Sequence, residues 1–217
     1  TQVFVCTNCG QIQSESPKDL QAYYDNEYNF LVESEDEDQI YQVVGGRTVY
    51  RTEHQLHVLQ EKVDLGENIS ILDFGCGKSP TIRRLVQENP HINVSLFDVS
   101  DRYKPFWEKF VPVERIATYK LPLAWNESFD LITSFFSLEH IATLLDTLRD
   151  VNSLLKEGGV FYGVVPSVIT NTADLIVMDH VNHFSQSSLT FLLQKCGFEV
   201  IDIDETIHRG ALVFSAR

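Results

Sequence analysis

The chain has 217 residues, 43% of them hydrophobic and 22% charged, with a formal net charge of −14. That length gives room for one α/β domain with a small appendage. No apolar run approaches the roughly 18–20 residues needed to cross a bilayer, and no basic segment leads into an apolar one as in a signal peptide. With 17 basic residues against 31 acidic ones, the chain lacks the excess of lysine and arginine that displaces counterions from phosphate backbones.

Residues 1–45 read as an N-terminal extension and residues 46–217 as the main domain. Val3, Phe4 and Val5 form a strand-like run leading into Cys6, Thr7, Asn8, Cys9 and Gly10. An aromatic and polar segment at 23–28 and an acidic run at 33–38 follow, the latter read as a solvated loop or helix start. Residues 46–64 are expected to be helical, because Val49, Leu56, Leu59 and Val63 fall near one face, with Gly66 as the stop. From residue 69 strand and helix alternate. Strands are expected at 69–74, 94–97, 115–118, 129–135 and 160–165. Helices are expected at 81–88, 103–110, 141–155 and 187–195, with Gly158 and Gly159 closing the third and Gly197 the fourth. Two final strands, 198–203 and 211–215, read as a hairpin. The expected fold is therefore α/β: a Rossmann-like, doubly wound, mostly parallel seven-stranded sheet with an antiparallel edge strand, plus the small N-terminal extension. The four cysteines, Cys6, Cys9, Cys76 and Cys196, are too few and too dispersed for a disulfide framework, which fits a reducing cytoplasm.

The chemistry-bearing signal begins at the run Ile71, Leu72, Asp73, Phe74, Gly75, Cys76, Gly77, Lys78, Ser79, Pro80. A strand enters a glycine turn and a helix follows. In open α/β sheets ligands bind at the carboxyl ends of strands, and a residue without Cβ lets the backbone approach them. Asp98 closes the next strand, where a carboxylate can accept from both hydroxyls of a ribose. A dinucleotide fingerprint would need a glycine where Pro80 stands, and Pro80 has no N–H for a pyrophosphate. Asp73 is unsuited to phosphates and suited to an ammonium group. These features favour S-adenosylmethionine over NAD.

Residues 69–165 resemble a class I S-adenosylmethionine-dependent methyltransferase domain. Ile71 to Gly77 correspond to its first motif, with Ser79 in place of the usual third glycine, and Asp98 to its ribose-binding acid. Leu138, Glu139, His140 and Ile141 match its Leu-Glu-His motif, and residues 154–159 match the turn before its fifth strand. The resemblance implies that Asp73 and the backbone at Gly75, Cys76 and Gly77 hold the methionine moiety. It also implies that Asp98 holds the ribose, that Val99 flanks the adenine, and that Phe135 and Phe136 line the cofactor pocket. The acid that many members use for the adenine amine is missing at 118–120.

Residues 179–185, with Ser188, Leu189, Gly197 and Phe198, are similar to the subgroup containing sugar C-methyltransferases. His140, His180 and His183 are the candidate general bases, since histidine titrates near neutrality. His180 and His183 are also spaced like a metal pair, without an evident third ligand. Cys6 and Cys9, followed by Gln11, Gln13, Tyr24 and Tyr28, resemble the second knuckle of the zinc module found in that subgroup. They are the candidate ligands of a structural zinc in the full-length protein. The expected reaction is methyl transfer to a small-molecule substrate such as a sugar or nucleotide-sugar, with no nucleic acid and no membrane as partner. The acceptor lid is expected from residues 17–50 and 166–185. The alternatives are a protein side-chain methyltransferase, or a degenerate S-adenosylmethionine-binding domain that regulates a partner. The oligomeric state is not legible in the sequence.

Overall fold

The computed structural model describes residues 2–15, 23, 34 and 37–217. Half of the acidic run at 33–38, Tyr24 and Tyr28, and much of the expected lid at 17–50 lie outside the described residues. Along the chain come β1 (Val3–Val5), β2 (Ile12–Ser14), β3 (Ile40–Val44), β4 (Arg47–Tyr50), α1 (Arg51–Lys62) and β5 (Ser70–Phe74). They are followed by α2 (Pro80–Glu88), β6 (Asn93–Asp98), the short α3 (Lys104–Trp107), β7 (Ile116–Thr118) and β8 (Phe129–Phe135). The last elements are α4 (Leu144–Leu154), β9 (Leu155–Pro166), β10 (Asn182–His183), α5 (Gln186–Lys195), β11 (Val200–Asp204) and β12 (Ala211–Ala216).

Seven of these strands form one sheet in the order β11-β12-β9-β8-β5-β6-β7. The pairs β5–β6, β6–β7 and β8–β9 are parallel, while β12 runs antiparallel to both β9 and β11. The expected Rossmann-like sheet is thus present, with its antiparallel pairing in the closing hairpin at one edge. No helix among the described residues is long and apolar enough to cross a membrane.

By internal contacts the chain divides into two compact units: Gln21–Leu121, and Thr1–Leu20 together with Pro122–Arg217. In the first, Ile71 and Leu72 of β5, Leu96 of β6, Ile82 and Leu85 of α2 and Leu59 of α1 are fully buried. Thr81 Oγ1 donates to Gln55 Oε1 at 2.8 Å, tying α2 to α1. The helix expected over 46–64 begins only at Arg51, and Val49 lies on β4. Gly45 and Gly46 both have positive φ (58° and 83°), the geometry of a tight two-residue hairpin turn. That turn sends residues 40–50 into paired strands instead.

In the second unit, β9 is longer than the expected strand at 160–165. The helix before it stops at Leu154, so Gly158 and Gly159 lie within the strand rather than at the helix end. Their length is absorbed by a register jump: Phe129 pairs with Leu155, but Leu131 pairs with Val160. Further along, Gly163 lies opposite Phe214, where an added Cβ would stand 2.3 Å from the Phe214 ring. That ring packs edge-on against Phe161, and both are buried. Helix α5 opens on a capping box, in which the Ser185 hydroxyl accepts from the Ser188 N–H and the Ser188 hydroxyl from the Ser185 N–H. The first residues of the chain belong here too. β2 pairs with β1 on one side and with β10 on the other, Ile12 opposite His183 and Gln13 opposite Asn182.

Candidate active site

The glycine loop after β5 consumes its own backbone donors. The N–H groups of Gly75 and Cys76 both donate to the Phe97 carbonyl, at 2.9 and 3.1 Å, and the Ser79 N–H donates to the Cys76 carbonyl at 2.7 Å. The Gly77 N–H donates to Asp98 Oδ2 at 2.8 Å, while its carbonyl accepts from the Trp107 indole N–H at 2.6 Å. Gly75 and Gly77 take positive φ (64° and 50°), as this tight path requires. A phosphate-binding loop does the opposite, turning its N–H groups outward to the anion. Lys78 is also turned aside: its ammonium is hydrogen-bonded to the Ser34 carbonyl and paired with Glu37 at 3.6 Å.

What the loop does present is carboxylate. Asp73 is 2% exposed and accepts from the Ser79 hydroxyl at 2.6 Å. Asp98 is 8% exposed and accepts from Gly77 and, at 3.2 Å, from the Ser100 N–H. Burial and the charges of Asp98 and Asp73 together push the Cys76 thiol well above its ordinary value, so this corner of the loop is a region of negative potential. Its acceptors fit hydroxyls, an ammonium and a sulfonium, and its charge repels a pyrophosphate. On that chemistry the residues present suit S-adenosylmethionine. Val99, the expected adenine neighbour, is exposed.

Ser79 occupies the position of the family's third glycine with φ 53° and ψ 45°. The backbone therefore adopts the glycine conformation with a Cβ present. Its hydroxyl bond to Asp73 helps to offset that strain. The spacing of six residues between Asp73 and Ser79 carried this bond, but sequence reasoning did not assign Ser79 a part.

The second unit carries the expected pocket aromatics and all three candidate histidines. Phe135 ends β8 with its ring centroid 5.9 Å from that of Tyr162. Phe136 takes a positive φ of 53° and its ring meets that of His208. The turn after it, residues 138–141, is stitched to residues 179–182. The Val181 N–H donates to the Glu139 carbonyl at 2.8 Å, and the Asn182 side-chain amide donates to the carbonyls of Leu138 and Ile141 at 3.1 and 2.7 Å. This brings His140 and His180 edge-to-face, with ring centroids 4.7 Å apart.

Carboxylates that sequence reasoning passed over hold these rings. His140 Nδ1 lies 3.2 Å from Asp179 Oδ2 and 3.1 Å from the Asp179 carbonyl. Asp174 receives two histidines, His180 Nδ1 at 2.5 Å on one oxygen and His183 Nδ1 at 2.6 Å on the other. Burial opposes charge on His140, but the bond to Asp179 and the charges of Glu139 and Asp179 outweigh it and raise its pKa. Burial likewise opposes charge on Asp174, and the bonds from His180 and His183 overcome it and lower its pKa. His183 is fully buried, and its Nε2 bonds the Ser14 hydroxyl at 2.7 Å. Both of its nitrogens are therefore engaged, and the geometry gives it a supporting role. The acids were visible in the sequence as neighbours of the histidines, but their pairing depends on the loop path.

Cys6 and Cys9 lie on the turn between β1 and β2, closed by the Gly10 N–H donating to the Cys6 carbonyl at 2.9 Å. Hydrogen bonds from the Asn8 and Cys9 N–H groups lower the Cys6 thiol pKa, while burial raises that of Cys9. All four cysteines are free thiols.

Over 82 residues the chain is 32% identical to the C-methyltransferase NovU of Streptomyces niveus, a match covering 36% of this chain and 20% of that protein. The chain thus matches about a fifth of the relative's length. Among solved structures it is similar to a chain from the complex of a methyltransferase activator with a methyltransferase of Haloferax volcanii. There the TM-score is 0.64 and the identity 17%, over 76% of this chain and 89% of that one. It is also similar to an S-adenosylmethionine-dependent methyltransferase from Mesorhizobium loti, with a TM-score of 0.60 and 18% identity over 76% and 97% of the two chains. At such identities the likeness is one of fold. The family profile described as a methyltransferase domain matches residues 46–203, well over half of the chain, and the chain belongs to that family of methyltransferase domains.

Proposed function

We propose that this chain transfers a methyl group from S-adenosylmethionine to a small-molecule acceptor, with a sugar or nucleotide-sugar as the acceptor class. The observation that carries the cofactor is the glycine loop, whose N–H groups are spent internally while Asp73 and Asp98 supply buried acceptors. Asp73 and the loop at Gly75, Cys76 and Gly77 would hold the methionine moiety, with Asp73 accepting from its ammonium. Asp98 would accept from the ribose hydroxyls, and Val99 would flank the adenine. The acceptor class rests on the NovU match and on the acidic balance of the chain.

When bound, S-adenosylmethionine supplies the methyl on a sulfonium that already carries its leaving group. The chain's own task is to align the acceptor, exclude water and take up the acceptor's proton. His140 and His180 would assist deprotonation: His180 Nδ1 bonds the Asp174 carboxylate, and His140 Nδ1 bonds the Asp179 carbonyl with the Asp179 carboxylate 3.2 Å away. His183 would support His180 through Asp174, which both rings bond. Cys6 and Cys9 would be two of the four ligands of a structural zinc.

The test is a thermal shift with S-adenosylhomocysteine, with NAD as control. At about 100 times Kd, binding adds about 2.7 kcal/mol, which for a chain of this size is about 5–10 °C. A shift with NAD alone overturns the cofactor assignment. Substituting His140 or His180 by alanine should leave that shift intact and lower turnover by about 10²–10⁴-fold; full turnover in both variants removes the histidines from the reaction.

A further inference from the structure

The cluster after β8 has the composition and the support of a metal centre. Glu139, His140 and His180 each offer a ligand atom, and these atoms lie within 4.8 Å of one another. Small side-chain rotations would close that spacing to the roughly 3.3 Å that separates ligands of a tetrahedral zinc bound at about 2.0–2.1 Å. Metal-bound histidines almost always have their other ring nitrogen held by a carboxylate or carbonyl, which fixes the tautomer and aims the ligating nitrogen. Both histidines here are held that way: His140 Nδ1 by Asp179 and His180 Nδ1 by Asp174. That places the proton on Nδ1 and the lone pair on Nε2, and His140 Nε2 faces Glu139 Oε1 at 3.9 Å.

The third residue supplies an independent observation. Glu139 is 1% exposed, and its Oε2 has no hydrogen-bond partner among the described residues. A buried carboxylate oxygen left without a partner is costly, and a cation at this point removes the cost. The sequence spacing pointed to His180 and His183 as a metal pair. In the structure His183 Nε2 is committed to Ser14, and the third ligand comes instead from the Leu-Glu-His turn.

We propose that Glu139, His140 and His180 bind one divalent transition-metal ion. Zinc best matches two imidazoles and one carboxylate, a set that leaves a coordination position open. The open position would receive the acceptor's oxygen and lower its pKa, so that the two histidines would assist deprotonation as metal ligands and not as proton acceptors; that role rests on the methyltransferase reading, whereas metal binding does not.

The experiment uses the full chain carrying Cys6→Ser and Cys9→Ser, stripped of metal and titrated with Zn²⁺ alone, with Co²⁺ as spectroscopic probe. The expected result is about one zinc per chain, and a visible cobalt spectrum of nitrogen and oxygen ligands without thiolate charge transfer. Glu139→Gln and His180→Ala should each weaken binding at least about tenfold, and the isosteric Asp174→Asn by about 10–100-fold through loss of support to His180. Absence of stoichiometric zinc in the parent chain overturns the proposal whatever the variants do. So does binding that none of the three substitutions weakens. S-adenosylhomocysteine binding by the same metal-free chain is read separately. If it persists without zinc binding, only the metal site falls; zinc binding without it leaves the metal site and removes the cofactor reading.

Discussion

Replacing Ser79 separates the two effects that the structure assigns to it. The residue sits at φ 53°, ψ 45°, is 1% exposed, and donates to Asp73 Oδ2 at 2.6 Å. A left-handed conformation costs an L-residue about 1–2 kcal/mol, and a hydrogen bond to a charged group contributes about 1.5–3 kcal/mol. Ser79→Ala keeps the strain and loses the bond, so it should destabilise by about 1.5–3 kcal/mol. Ser79→Gly loses the same bond but releases the strain, less about 0.4–1 kcal/mol for the freer unfolded chain. It should therefore be about 0.5–1 kcal/mol better than alanine. The expected order of stability is serine, then glycine, then alanine. At about 2.1 cal/mol/K of unfolding entropy per residue, alanine lowers Tm by about 3–7 °C, and glycine recovers about 1–2 °C of that. Urea titration at unchanged m is the assay, with the melting scan beside it. Alanine equal to wild type would show that the bond to Asp73 contributes nothing, and alanine above glycine would refute the strain.

Asp98→Ala removes the proposed ribose acceptor and the partner of the Gly77 N–H; calorimetry should show S-adenosylhomocysteine bound about 1.5–3 kcal/mol more weakly, and unchanged affinity would refute the ribose assignment. The thiols should separate by reactivity, since Cys6 is exposed with a lowered pKa and Cys76 is strongly raised. Iodoacetamide at mildly alkaline pH, followed by peptide mass mapping, should label Cys6 first and leave Cys76 unmodified; early labelling of Cys76 would refute the negative potential at the loop. Gly163→Ala should cost about 1–3 kcal/mol by overpacking against the Phe214 ring, and a melting temperature within 1 °C of wild type, on the order of the measurement error, would contradict that contact.

The alternation from residue 69 onward was legible because each strand is a short apolar run and most helices are amphipathic. Phe129–Phe135 reads directly as β8, and Asp98 is where β6 ends, as expected. The hairpin at residues 40–50 was missed although Gly45 and Gly46 announce it, because the apolar spacing of Val49 with Leu56 and Leu59 also satisfies a helix. Gly158 and Gly159 read as a helix stop, yet the parallel partner β8 recruits them into β9 by a register jump. That pairing is a tertiary fact with no local signature. The histidines were legible by type and motif. Their division into two aimed rings and one supporting ring was not, because it depends on where Asp174, Asp179 and Ser14 fall in space.

Pairing of β2 with β10 joins residues about 170 positions apart in a chain made from one end. At about 5–20 residues per second, the outer edge of β2 waits on the order of 10–30 s for its partner to leave the ribosome. During synthesis that edge is an unpaired strand beside the exposed Val3, Phe4 and Val5, a template open to other nascent chains. Ser14 cannot reach His183 until the chain has been made through residue 183. The histidine cluster is consequently completed only after β5 to β9 have all been made.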